Sequence, residues 1–261
     1  MSLVAKIFIV LCLTACQVGA FAKDLYILVV GQSISSNCNQ HLYGPSEGIF
    51  QIDLLGNKIP ASDPFLWADC QNGSMWIPLG KKIISENYAR SVTFMPIGVG
   101  GTSVNDWLPD GKAFQKLSNA IKVSKEKSIR FDYAFWHQGS TDAGTPPDQY
   151  ASKLNRVLRH ISINANVDKW IVAQHSRCGN LFDNKIAKAQ IQVSSRHIIR
   201  RFPGPNTNEL GNEFRFDGCH LNFRGQEKMA DLWLQSMISA DKLNISVQKE
   251  TLVQYFKDLV N

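Results

Sequence analysis

The sequence predicts an α/β protein whose parallel sheet carries helices on both faces. Three observations lead there. Short, β-branched apolar runs recur along the chain, and each ends in a polar or glycine-containing segment. Segments with a helical spacing of apolar residues separate the runs, and that alternation builds βα units. Within the runs the apolar residues are continuous, as they must be in strands buried on both faces.

The 261 residues suffice for one large domain with a substantial core. The first of them read as a targeting segment. Lys6 precedes the apolar run Ile7-Phe8-Ile9-Val10-Leu11-Cys12-Leu13, and Ala20-Phe21-Ala22 fits a small-x-small cleavage site. The run is short for a bilayer-spanning helix. Residues 1–22 are therefore expected to be a removed signal peptide, with one domain over 23–240 and a helical extension over 241–261. Leu13-Thr14-Ala15-Cys16 offers the alternative of a lipidated Cys16, although that leaves little tether before the first strand.

The elements follow in order. Leu25-Tyr26-Ile27-Leu28-Val29-Val30 reads as the first buried strand and ends at Gly31. Ser35–Gly73 has no clear period and holds Pro45, Pro60 and Pro64; a loop of that length is rare unless it serves function. Leu79–Tyr88 is the first helix. Val92-Thr93-Phe94-Met95-Pro96-Ile97 is the second strand, expected to end or bulge at Pro96, which has no N–H for a ladder. A helix over Ala113–Lys125 leads to the strand Tyr133-Ala134-Phe135-Trp136, and a helix over Tyr150–Asn164 leads to Trp170-Ile171-Val172-Ala173. Further helices are expected over Asn184–Ile198 and Arg224–Ile238, with irregular chain at Phe202–Asn212. The amphipathic tail from Asp241 to Asn261 is expected to pack as one more helix.

Composition narrows the class of function. With 44% hydrophobic and 19% charged residues the chain is globular in type. The net charge of +6 is spread without a run, so nothing marks a nucleic-acid partner. Export implies an oxidising compartment, secreted or periplasmic, for the four cysteines beyond the leader, Cys38, Cys70, Cys178 and Cys219. Four cysteines permit three connectivities. Cys38 with Cys70 and Cys178 with Cys219 is preferred, because each bond staples a long loop near a strand end. Neither Cys-x-x-Cys nor His-Glu-x-x-His occurs, so a zinc site has no support.

In an open parallel sheet, ligands bind at the carboxyl ends of the strands, and the chemistry-bearing residues fall there. Gly31-Gln32-Ser33 follows the first strand. Asp217 and His220 lie three positions apart on a turn entering a helix, where the carboxylate can hold Nδ1 of the imidazole and leave Nε2 facing outward. A serine hydroxyl is a weak nucleophile until such an oriented base takes its proton. An acyl-transfer site also needs donors for the developing oxyanion. The Ser33 N–H, an N–H within Gly100-Gly101 and the side-chain amide of Gln138 are the candidates.

Gly31-Gln32-Ser33, Gly100-Gly101-Thr102-Ser103 with Trp107, Trp136-His137-Gln138-Gly139, and Asp217-Gly218-Cys219-His220-Leu221-Asn222 resemble the four blocks of the SGNH hydrolase superfamily. They are most similar to its carbohydrate O-acetylesterase branch, which includes sialate O-acetylesterases and plant-type acetylxylan esterases. The resemblance spans about Asp24 to Ser239. It implies a flavodoxin-like, three-layer αβα sandwich on a five-stranded parallel sheet and a serine esterase acting on acetylated carbohydrates, without metal or organic cofactor. It implies Ser33 as nucleophile, His220 as base, Asp217 as orienting acid, and Ser33, Gly100 or Gly101, and Gln138 as oxyanion donors. Gln32, Thr102, Trp107 and His137, within the same blocks, are expected to line the substrate, Trp107 as a platform for a sugar face. Two departures stand out: Ile34-Ser35 follows Ser33 where the family has Asn-Met, and Ser140 stands where the family has Glu. The rival readings are another acyl ester on the same machinery, acetyl transfer between sugars, and a catalytically silent glycan-binding protein.

Overall fold

The first apolar run forms β1 (Asp24–Gly31), which lies in the middle of a seven-stranded sheet. The structure is a computed structural model that describes residues 23–179 and 182–260. The expected signal peptide and the lipidation alternative at Cys16 fall outside the described residues. The other strands are β2 (Ile49–Ile52), β3 (Lys58–Pro60), β4 (Ser91–Pro96), β5 (Phe131–His137), β6 (Val167–Gln174) and β7 (Arg201–Asn206), in the order β3-β2-β4-β1-β5-β6-β7. Every neighbouring pair is parallel except β2 with β3.

Five strands were expected and seven are present. The order β4-β1-β5-β6-β7 is the expected five-stranded parallel core, and the β2–β3 hairpin extends it at the β4 edge. That hairpin was read as loop because its strands have only four and three residues, too few for a period to emerge between prolines and glycines. β7 was also read as irregular, since Pro203 and Pro205 interrupt it. Edge position makes this tolerable: only one side of β7 has a ladder to satisfy. β4 does end at Pro96.

Among the described residues five helices cover the sheet: α1 (Trp76–Ser85), α2 (Phe114–Glu126), α3 (Pro147–Ala165), α4 (Asn184–Ser194) and α5 (Phe223–Val260). Successive residues of β1 point into opposite layers, the period-2 consequence of strand geometry. Ile27 and Val29 pack with Trp76 and Leu79 of α1 and Trp233 and Met237 of α5. Leu28 and Val30 pack with Leu117 of α2, Leu158 of α3 and Ile186 of α4. The architecture is thus the three-layer sandwich, with two cores divided by the sheet.

Two helix ends differ from expectation. α4 stops at Ser194, where polar residues break the apolar stripe, and a short 3₁₀ turn follows at His197–Ile199. α5 runs through position 241 without interruption. There the Asp241 carboxylate accepts from Lys169 Nζ (2.5 Å), Tyr88 Oη (2.6 Å) and Tyr133 Oη (2.7 Å), tying the helix to the amino-terminal edge of the sheet. No helix among the described residues is long and apolar enough to cross a membrane.

From β1 the chain passes to β2, β3 and β4, all on one side of it, and then crosses to β5 on the other. This reversal opens a crevice at the carboxyl end of β1, the place where open α/β sheets bind ligands.

Candidate active site

The crevice is built first from the turn after β1. A β-carbon at Gly31 would lie 2.2 Å from the His137 carbonyl oxygen, so only glycine lets β1 and β5 stay this close. The Gln32 N–H donates to that same carbonyl (3.1 Å). Ser33–Ser35 then makes one turn of 3₁₀ helix, closed by Ser36 N–H to Ser33 O (2.9 Å). The side chain of Gln32 braces the turn from below. Its Oε1 accepts from the N–H groups of Gly139 (2.9 Å) and Ser140 (3.1 Å), and its Nε2 donates to Ser140 Oγ (2.5 Å). Gln32, Ile34 and Ser35 are buried, while Ser33 between them remains partly exposed.

The Asp217–His220 turn, the candidate acid–base turn, is a closed loop between Arg215 and Leu221, which pair as an antiparallel bridge. Asp217 Oδ1 accepts from the N–H groups of His220 (2.7 Å) and Cys219 (2.9 Å), and Oδ2 accepts from His220 Nδ1 (2.6 Å). Burial pushes the Asp217 carboxyl up. The bond from His220 and the two amides outweigh this and hold it below the usual carboxylate range. A proton on Nδ1 leaves Nε2 as an acceptor, and that nitrogen is buried with no partner among the described residues. Two further ties fix the loop. Cys219 is disulfide-bonded to Cys178 and Cys38 to Cys70, the connectivity expected. The buried guanidinium of Arg215 donates to the carbonyls of Cys219, Thr207 (3.0 Å) and Leu210 (3.2 Å).

Asn39 joins the two halves. Its Nδ2 donates to the carbonyl of Ile34, next to Ser33 (3.0 Å), and its Oδ1 accepts from the N–H of Leu221, next to His220 (3.0 Å). Gln40 N–H donates to Leu221 O (2.9 Å) and continues the seam. Neither Asn39 nor Arg215 was picked out from the sequence. Both act through contacts distant along the chain, and no local motif marks them.

Several expected roles do not survive the geometry. Gln138 is fully buried, and both hydrogens of its amide are taken, by Thr102 O (2.9 Å) and Asp142 Oδ2 (2.5 Å), while Tyr150 Oη donates to its Oε1 (3.2 Å). It is a strut under the crevice with no hydrogen left for an oxyanion. The Gly100 N–H is engaged as well, donating to Asp69 Oδ2 (3.0 Å), whose other oxygen pairs with Lys116 (2.5 Å). Gly101 sits exposed beside it at φ +62°, a conformation that favours glycine. The substrate-lining expectation for Gln32, Thr102, Trp107 and His137 is corrected, since all four are 3% exposed or less. Trp107 is core: its ring meets Trp136 edge-on, and its Nε1 donates to Thr102 Oγ1 (3.2 Å). A cleft of about 750 Å³ has Leu54, Leu66, Trp67, Asp69, Gly100 and Lys116 in its lining and shares Gly100 with the expected site residues.

Beneath the acid–base turn lie two buried histidines, His137 and His175, with ring centroids 5.0 Å apart. Burial first, then the positive charge of Arg215, lowers His137 to about 3. Burial, His137, Arg215 and His220 push His175 well below the ordinary range. Among the described residues no group of three or more His, Cys, Asp or Glu side chains is arranged to hold a metal ion.

Comparison with known proteins gives three results. The family model described as carbohydrate esterase, sialic acid-specific acetylesterase matches residues 57–239. No curated protein matches the chain. Among solved structures, a protein from Arabidopsis thaliana superposes with a TM-score of 0.66 at 13% identity, covering 84% of this chain and 98% of that one. NanS superposes with a TM-score of 0.56 at 12% identity, covering 84% and 97%. A family 3 carbohydrate esterase from Clostridium thermocellum gives 0.54 at 16% identity, covering 85% and 98%. At such identities the likeness to these structures is one of fold.

Proposed function

As this chain belongs to the carbohydrate esterase family of sialic acid-specific acetylesterases, we propose that it removes O-acetyl groups from carbohydrates by a Ser33–His220–Asp217 mechanism in an oxidising compartment outside the cytoplasm. The observation that carries the mechanism is the imidazole of His220, tied by Nδ1 to Asp217 at 2.6 Å with Nε2 left without a partner among the described residues. That nitrogen takes the proton of Ser33. The serine oxygen attacks the acetyl carbonyl, and the charge on the carbonyl oxygen is met by N–H donors. Ser33 N–H and Gly101 N–H are the proposed donors, because the Gly100 N–H and the Gln138 amide are already engaged. His220 returns the proton to the departing sugar oxygen. Water, deprotonated in turn by His220, then cleaves the acetyl-serine to acetate.

The cleft beside Gly100 supports a carbohydrate leaving group. Leu54 and Leu66 present apolar surface there, and Asp69 and Lys116 supply polar contacts for sugar hydroxyls. The two disulfides support the exported location.

The test is acetate release from O-acetylated sialic acids, acetylated xylan and O-acetylated peptidoglycan, with p-nitrophenyl acetate as a general probe. Wild-type protein is expected to release acetate from at least one glycan. Ser33→Ala and His220→Ala should each lower kcat by about 10³-fold or more with an unchanged circular dichroism spectrum. Wild-type turnover in Ser33→Ala would overturn the nucleophile assignment, and acetate from none of the glycans would overturn the substrate class.

A further inference from the structure

Away from the crevice, a groove of about 590 Å³ runs between α3, α4 and the start of β7. Arg156 and Arg159 line it from α3, Arg196 from the segment after α4, and Arg201 from the first position of β7, with Asp148 the one acid in its wall. Elsewhere in the fold some arginines have carboxylate partners, while others, Arg177 and Arg215 among them, bond to carbonyl or amide oxygens. Arg90 pairs with Asp24, and Arg130 and Arg200 both pair with Asp168. None of the four groove arginines has a carboxylate partner among the described residues.

Arg201 is the most telling of them. It is 7% exposed, its Nη1 donates to the neutral amide oxygen of Asn155, and the charge that acts on it is that of another cation, Arg196. Burial, with the charge of Arg196 added, lowers Arg201 to about 10. A desolvated cation held beside three more, with one carboxylate in the wall, is an arrangement that a bound anion stabilises. Guanidinium groups also offer planar pairs of N–H donors, which match the oxygens of phosphate or sulfate. The volume exceeds that of one such ion and is in the usual range for a small-molecule site.

We propose that this groove is a binding site for a phosphorylated or sulfated sugar, held through its oxyanion by Arg156, Arg159, Arg196 and Arg201. The site is separate from Ser33 and His220 and does not depend on the proposed esterase activity. It would let the protein hold an acidic glycan at one place while the crevice acts elsewhere on it.

Calorimetric titration of the whole protein tests this, with glucosamine 6-sulfate, glucose 6-phosphate and inorganic phosphate as probes at constant ionic strength set with chloride. At least one sugar ester is expected to bind saturably, more tightly than inorganic phosphate. Arg156→Gln with Arg159→Gln, both on the exposed face of α3, should weaken it by about tenfold or more while p-nitrophenyl acetate turnover stays at the wild-type rate. Arg201→Met should abolish binding; if that variant misfolds, the α3 pair still decides the matter. Absence of saturable heat for every probe overturns the proposal. Tighter binding of inorganic phosphate than of either sugar overturns the sugar assignment, and unchanged affinity in the α3 pair overturns the location.

Discussion

Asn39 commits each end of one amide to a different half of the crevice, the donor to Ile34 O beside Ser33, the proposed nucleophile, and the acceptor to Leu221 N beside His220, the proposed base. Removing it unties two turns far apart in the chain, since its bond to Leu221 alone crosses 182 positions, and a displacement of about 1 Å between reacting groups can cost 10²-fold in rate. Asn39→Ala is therefore expected to lower kcat by about 10- to 100-fold with KM little changed, alongside a loss of stability of about 1–3 kcal/mol from the stranded partners. Ile161→Ala, in the core of the opposite layer, serves as control: it should lower the melting temperature and leave kcat alone. If Asn39→Ala keeps wild-type kcat, the amide is only structural. The contact between Asp217 and His220 was legible because it depends on spacing within a short motif. Gln138 was misread for the opposite reason: a position at a strand end does not reveal that Thr102 and Asp142 take up the amide.

At the scale of elements, the parallel strands β1, β4, β5 and β6 were legible because burial on both faces leaves continuous apolar runs, which few other structures require. The β2–β3 hairpin and β7 were not, since their strands are short or carry prolines and owe their place to the edge of a sheet already formed. The acid–base loop belongs to this scale as well. The bond from Cys178 to Cys219 crosses 41 positions, and by chain entropy alone such a crosslink contributes about 4 kcal/mol. Its position inside the Asp217–His220 turn adds a local effect. Cys178→Ser with Cys219→Ser should lower the melting temperature and also reduce kcat by about tenfold at temperatures where the protein remains folded. Kinetics paired with a thermal melt separate the two effects. A fall in melting temperature with unchanged kcat would mean that Arg215 and the Asp217 bonds hold the loop unaided.

For the whole molecule, acid stability follows from what the crevice is built upon. His137 and His175 are buried as neutral rings beneath it, with Arg215, His220 and each other as the facing cationic or titratable groups. Unfolding releases them to an ordinary value near 6.5, so the unfolded chain binds more protons than the folded one below that pH. Their contribution is complete above about 6.5 and is lost as pH falls toward the folded value of about 3 for His137, at up to about 2.7 kcal/mol per pH unit for the pair. Asp63 works in the opposite sense. Burial raises it from 3.8 to about 6, so the folded state holds the extra proton between those values and gains stability as pH falls through them. Asp142, raised by burial, adds to that offset. The histidines span the wider range, so the expectation from these groups is a stability that declines as pH falls below 6.5, declines less steeply while Asp63 protonates, with Asp142 acting in the same direction as Asp63, and steepens again below 3.8. Urea midpoints measured across this range would reveal the change of slope. In Asp63→Asn the shallow region should steepen, because one of the opposing protons is gone and the histidine slope stands less opposed. Constant stability from pH 7 to pH 4 in that variant would mean that burial does not hold the two rings neutral in the folded state, and the crevice would then rest on a different floor.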